Sequence, residues 1–84
     1  MNEQREPVLA AFGKLVRQRR NALNISQEEL GYRAGLDRTY ISGIERGTRN
    51  PTLTALMAIA KGLGLTVSEV VQNLEQEAQQ SHAE

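Results

Sequence analysis

Arg38, Thr39, Ser42 and Arg46 are spaced i, i+1, i+4 and i+8, so a helix over this stretch gathers them on one face. Guanidinium and hydroxyl groups in such a row match the edges of bases and the oxygens of phosphates. Arg38 opens the stretch, where it can take guanine O6 and N7 as a bidentate pair or hold a phosphate. Thr39 offers a hydroxyl to a base edge and a methyl to thymine. Ser42, one turn on, suits the backbone more than a base. Arg46 and, just past the helix, Arg49 suit phosphates. Gly43 lets the helix sit deep, on the expectation that any side chain there would meet the nucleic acid. The chemistry indicated is sequence-specific binding of duplex DNA.

A helix presenting that face must be braced by a second one crossing it steeply. Residues 26–47, SQEELGYRAGLDRTYISGIERG, supply both and the turn between them. Ser26 is read as the cap of helix two, with Glu29 completing a capping box. Gly35 ends that helix in a left-handed conformation, Leu36 plugs the corner, Asp37 caps helix three, and Gly47 stops it. Leu30, Ala34, Leu36, Ile41 and Ile44 fill the wedge. Gly31 costs about 1 kcal/mol against alanine in a helix interior, so it marks a close backbone crossing. A plain bundle hairpin would gain from alanine there, and its exposed face would carry Glu–Lys pairs. Gln27, in the first turn of helix two, either bonds a phosphate beside the positive helix N-terminus or helps to cap the helix.

The remaining elements are also helical. Val8, Phe12, Leu15, Val16, Arg19 and Leu23 recur at steps of three and four, giving a helix over residues 7–23 with Pro7 in its first turn. Asn24 and Ile25 break it. Arg17 and Arg19 read as solvated charges, with Arg17 in reach of flanking phosphate. Thr48-Arg49-Asn50-Pro51 is a loop. Thr52 caps helix four, with Leu53, Leu56, Ala60 and Leu63 read as inward-facing and Gly62 and Gly64 at its end. Thr66 and Glu69 form a capping box opening helix five, which carries Val70, Val71 and Leu74. The expectation is an all-α, compact five-helix domain over residues 7–76, with a flexible N-terminus (1–6) and a frayed, polar tail (77–84).

The 84 residues allow one small domain. With no cysteine there is neither a disulfide framework nor a thiolate metal site, and His82 stands alone in the polar tail. The formal charge of zero hides an asymmetry. Residues 14–49 set eight cations (Lys14, Arg17, Arg19, Arg20, Arg33, Arg38, Arg46, Arg49) against four anions (Glu28, Glu29, Asp37, Glu45), net +4. Residues 50–84 set Lys61 against Glu69, Glu75, Glu77 and Glu84, net −3, and Arg5 with Glu3 and Glu6 supplies the remaining −1. A basic half joined to an acidic half suits a protein that turns one face to phosphate. No constellation for catalysis, metal, cofactor or small-molecule ligand is present, so the chain is not expected to be an enzyme. No apolar run approaches a membrane span and the N-terminus lacks a signal-peptide core, so a soluble, cytoplasmic protein is expected.

Residues 14–65 resemble the Cro/phage-repressor (Xre-type) helix-turn-helix family, whose pattern residues 26–47 match nearly throughout. Within it, LDRTYISGIERGTRN is most similar to the controller proteins of restriction–modification systems. The resemblance implies a lambda-repressor-like fold and a transcriptional regulator acting as a homodimer on a pseudo-palindromic double-stranded DNA operator. It places Tyr40 at the DNA surface, the alternative being a tyrosine packed over the helix end, and makes Arg49 a candidate for base edges too. It also implies an ion pair between Arg20 and Glu45 that fixes the tilt of helix three. The candidate dimer interface lies on helices four and five. There Met57, Val71 and Leu74 either exceed the needs of the core or complete it, and Thr54 and Ala58 allow close approach of a mate. The rival readings are a phage, plasmid or general Xre-type repressor, a DNA-binding antitoxin whose tail folds onto a partner, and a protein-interaction module.

Overall fold

A computed structural model describes residues 6–83, with side chains through residue 80. Residues 1–5 of the expected flexible N-terminus and the side chain of His82 thus lie outside the described residues. The described chain is all-helical: α1 (Pro7–Ala22), α2 (Gln27–Ala34), α3 (Arg38–Arg46), α4 (Leu53–Gly62), α5 (Val67–Val70) and α6 (Leu74–Ala83). α3 is wedged between α1 and α2, α4 lies on α2 with α5 beside it, and α6 returns to α1. Phe12, Val16, Leu30, Ile41, Ile44, Ile59, Leu63 and Val70 form one continuous buried cluster. The radius of gyration, 12.1 Å, is that of a closely packed chain of this length, about 12 Å.

The first four helices end on one device. Asn24, Gly35, Gly47 and Gly64 adopt left-handed φ angles of 60°, 69°, 77° and 74°. The N–H of the next residue then bonds the carbonyl five residues back: Ile25 to Arg20, Leu36 to Gly31, Thr48 to Gly43 and Leu65 to Ala60, at 3.2, 2.8, 2.9 and 2.9 Å. Ile25, Leu36 and Leu65 fold back onto the core. Thr48, after α3, is polar and stays exposed.

Helix starts follow the sequence with two exceptions. Ser26, Thr52 and Thr66 cap α2, α4 and α5 through their hydroxyls, and Thr66 with Glu69 forms the full reciprocal box. Ser26 completes only half of its box, because the Glu29 carboxylate turns to Arg33, one turn on, at 3.1 Å. Asp37 occupies the cap position of α3, but its side chain accepts no cap hydrogen bond.

The expected fifth helix is present in two pieces. Val70 and Val71 are adjacent β-branched residues that weaken helix continuity. The chain turns over residues 71–73, then restarts with the Glu77 N–H bonding the Asn73 carbonyl at 2.9 Å. The boundary expected at residue 76 falls inside α6, not at the start of a frayed tail. Ala78 is buried there, and Glu77 pairs with Lys14 of α1 at 2.7 Å. α4 is also rotated from the expectation: Ala55, Ile59, Ala60 and Leu63 face inward, Leu56 is half-buried, and Leu53 is 79% exposed. Only Thr54 and Lys61 mark the polar side of this helix, so the apolar residues span more than the inward face.

Candidate nucleic-acid interface

The inner side of α3 is fixed by a carboxylate. Glu45 has a fully buried side chain, and four donors converge on it. Arg20 grips both oxygens, Nε to Oε2 at 2.6 Å and Nη2 to Oε1 at 3.0 Å. Gln27 Nε2 donates to Oε1 at 3.0 Å and Arg17 Nε at 3.4 Å. Arg20 Nη1 also donates to the Ile25 carbonyl at 2.9 Å, tying in the α1–α2 turn. Burial pushes the Glu45 carboxyl up. The bonds from Arg20 and Gln27, the Arg20 charge and the bond from Arg17 outweigh that, and hold it below the usual glutamate range. The same hydrogen bonds raise Arg20. A bidentate arginine on a desolvated carboxylate admits one geometry, so α1, α2 and α3 share a fixed joint.

Two glycines bring the backbones close enough to make that joint. A Cβ on Gly31 would stand 2.5 Å from the Leu36 carbonyl oxygen, and one on Gly13 would stand 2.6 Å from that of Glu45. Gly31 was legible as a crossing point. Gly13 was missed, although a glycine inside an otherwise regular α1 is the same signal. Arg19 is not the solvated charge its position suggests: its Nε donates to the Leu63 carbonyl at 3.2 Å, which ties α1 to the end of α4. Gln27 turns inward onto Glu45, which leaves one amide hydrogen for a phosphate at the α2 N-terminus. The sequence pattern carried no signal for that choice.

The outer side of α3 has the opposite character. Arg38, Thr39 and Arg46 are exposed and Ser42 is half-buried on the same face. Arg38 enters no salt bridge among the described residues. Arg46 Nη1 donates to Ser42 Oγ one turn back, which lays the guanidinium along the helix. Past the helix end, the Arg49 guanidinium lies over the half-buried Tyr40 ring, 5.4 Å from its centroid. Gly43 differs from expectation. It is buried under the neighbouring loop, and a Cβ there would stand 2.7 Å from Arg49 Cγ and 3.4 Å from Thr48 Oγ1. Lys14, Arg17 and Arg46 flank a shallow groove between α1 and α3, extending the cationic face beyond the helix.

The candidate interface residues separate into two sets. Thr54, Met57 and Ala58 lie on α4, and Met57 is 63% exposed, with Leu53 still more so. Val71 and Leu74 are half-buried against the core and line a separate hollow with Phe12, Pro51 and Leu56.

A helix-turn-helix family model matches residues 16–70. The chain belongs to the helix-turn-helix family. Among helix-turn-helix relatives, the control protein C.MunI of a Mycoplasma species is 45% identical over 67 residues, spanning 79% of this chain and 90% of that protein. The crystal structure of the restriction-modification controller protein C.AhdI from Aeromonas hydrophila is similar with a TM-score of 0.72 and 40% identity, covering 74% of this chain and 94% of that one. The restriction-modification controller protein C.Esp1396I, crystallised as a tetramer with its natural 35 base-pair operator, is similar with a TM-score of 0.77 and 38% identity, covering 86% and 95%. The family and fold expected from residues 14–65 are thus borne out. No single helix among the described residues is long and apolar enough to cross a membrane.

Proposed function

We propose that the chain is a restriction–modification controller: a cytoplasmic, sequence-specific DNA-binding regulator of transcription that acts as a homodimer on a pseudo-palindromic operator. The observation that carries this reading is the outer face of α3, where Arg38, Thr39, Ser42 and Arg46 stand in one row on a helix locked from behind by Glu45. With α3 in the major groove, Arg38 and Thr39 meet base edges at the helix N-terminus, while Arg46, Arg17 and Lys14 meet phosphates. The role is recognition, with no catalytic step and no cofactor. The similarity to a controller crystallised on its operator supports it.

Dimerisation follows from the weakness of one small module on DNA, which a second copy on an adjacent half-site offsets. Leu53 and Met57 supply an exposed apolar face on α4, with Thr54 and Ala58 allowing a close mate. Val71 and Leu74, half-buried in a separate hollow with Leu56, are no part of that exposed face. Gel shift on the DNA upstream of the chain's own gene, against scrambled competitor, tests the reading. Two subunits neutralising about 6–10 phosphates give a log–log salt slope of about −5 to −9. Equal binding to both DNAs overturns it. Leu53→Asp with Met57→Asp is expected to yield a folded monomer with sharply reduced operator binding. A wild-type monomer at tens of micromolar overturns the dimer.

A further inference from the structure

Among the described residues, Gly43 is the buried helical glycine whose missing Cβ leaves room for the stem of an arginine, whereas a Cβ on Gly62 would face the core side chain of Leu30 at 3.0 Å. At Gly13 and Gly31 the nearest atoms are carbonyl oxygens of another segment. At Gly43 they are Arg49 Cγ at 2.7 Å, Thr48 Oγ1 at 3.4 Å and Arg49 Nε at 3.6 Å. The Arg49 stem therefore lies directly across the α3 backbone, and its guanidinium comes to rest over the Tyr40 ring at 5.4 Å. Thr48 holds the loop down: its N–H and its hydroxyl both donate to the Gly43 carbonyl, at 2.9 and 3.2 Å.

We propose that Gly43 is a positioning residue for specificity, a bare floor that lays the Arg49 side chain across α3 and delivers its guanidinium to the edge of the recognition surface. Tyr40 is the second support, a ring on which the cation rests, and Thr48 is the clamp. An arginine held by a stem groove and a ring face has few rotamers left to lose on binding. Arg49 then reads one base edge at the border of the half-site instead of sampling several phosphates. The inference rests on the DNA-binding reading for what Arg49 contacts, but not for where Arg49 lies.

That separation sets the test. In the free protein, the Arg49 side-chain methylene protons are expected to show upfield ring-current shifts from Tyr40 by NMR, and Gly43→Ala is expected to abolish them. Retained shifts in that variant overturn the proposal with no DNA in the tube. On a randomised operator library, Gly43→Ala and Arg49→Ala are each expected to lose about tenfold preference at the same single position, with nonspecific affinity little changed in Gly43→Ala. The double variant is expected to lose no more than Arg49→Ala. Losses that add, or that fall at different positions, overturn the assignment. If Gly43→Ala is unstable, the added Arg49→Ala is expected to restore the melting temperature to that of Arg49→Ala alone. Failure to restore it makes Gly43 a fold residue and ends the proposal. If no variant, wild type included, prefers any sequence while the ring-current result holds, the DNA reading has failed and the placement of Arg49 stands.

Discussion

The two sides of α3 use the same residue types to opposite ends. On the inner side, Arg20 and Gln27 turn donors onto Glu45, and that carboxylate has no exposed surface left. On the outer side, Arg38 and Thr39 stand in solvent, and Arg46 is engaged by a neighbouring serine hydroxyl. A saturated buried network admits one arrangement, and breaking it strands a charge. An open row of donors costs the free protein little, because water satisfies it. The inner side therefore sets the angle of the helix, and the outer side is free to specify a ligand.

Removing the inner carboxylate breaks this contrast most severely. Glu45→Ala is expected to destabilise the domain by about 3 kcal/mol, because the Arg20 guanidinium is left beside the core without its partner; urea unfolding measures it. A loss under about 1 kcal/mol is the signature of an exposed pair and would erase the distinction between the two sides. Gly13→Ala comes next, at about 2–3 kcal/mol, since a methyl there meets the α3 backbone and the two helices must part. Thermal unfolding reads the loss, and operator affinity is expected to fall with it.

Arg38→Ala sharpens the comparison from the other side. It is expected to lower operator affinity by about 1–3 kcal/mol and relax one base position, while unfolding stability moves by less than about 0.5 kcal/mol. Arg46→Ala is expected to weaken specific and nonspecific DNA alike. Uniform loss across an operator library for both substitutions would make Arg38 a phosphate contact.

The smallest effect is a pH dependence. Glu45 sits below its ordinary value in the folded chain. Its contribution is thus complete above the unfolded value, about 4.3, and is lost as the pH falls through the lower folded one. Melting temperature followed from pH 6 to pH 2 is expected to drop more steeply in the wild type than in Glu45→Gln. Parallel curves would show that the network does not perturb the carboxyl.

Local chemistry was legible in the sequence wherever a residue acts on its own neighbourhood. Ser26, Thr52 and Thr66 announce helix starts, Gly35 and Gly47 announce ends, and the Arg38–Arg46 row follows from helical spacing alone. Several misreadings come from a choice made by tertiary contact. Leu53 and Ala55 compete for the inward side of a largely apolar α4, and the folded chain buries the alanine and leaves Leu53 exposed. Gln27 has an amide that suits a phosphate or a buried carboxylate equally well, and the proximity of Glu45 decides. Gly43 reads as an opening toward DNA until the chain folds back and the Arg49 stem fills it. Asp37 has the right type and place for a cap, yet its side chain makes no cap bond, and nothing in the structure explains why.

The return of α6 to α1 has a consequence in time. Lys14 meets Glu77 across most of the chain's length, so α1 leaves the ribosome and waits for α6. α1, α2 and α3 can gather early, through contacts closer in sequence, whereas the α1–α6 seam closes only after the C-terminal segment has cleared the exit tunnel.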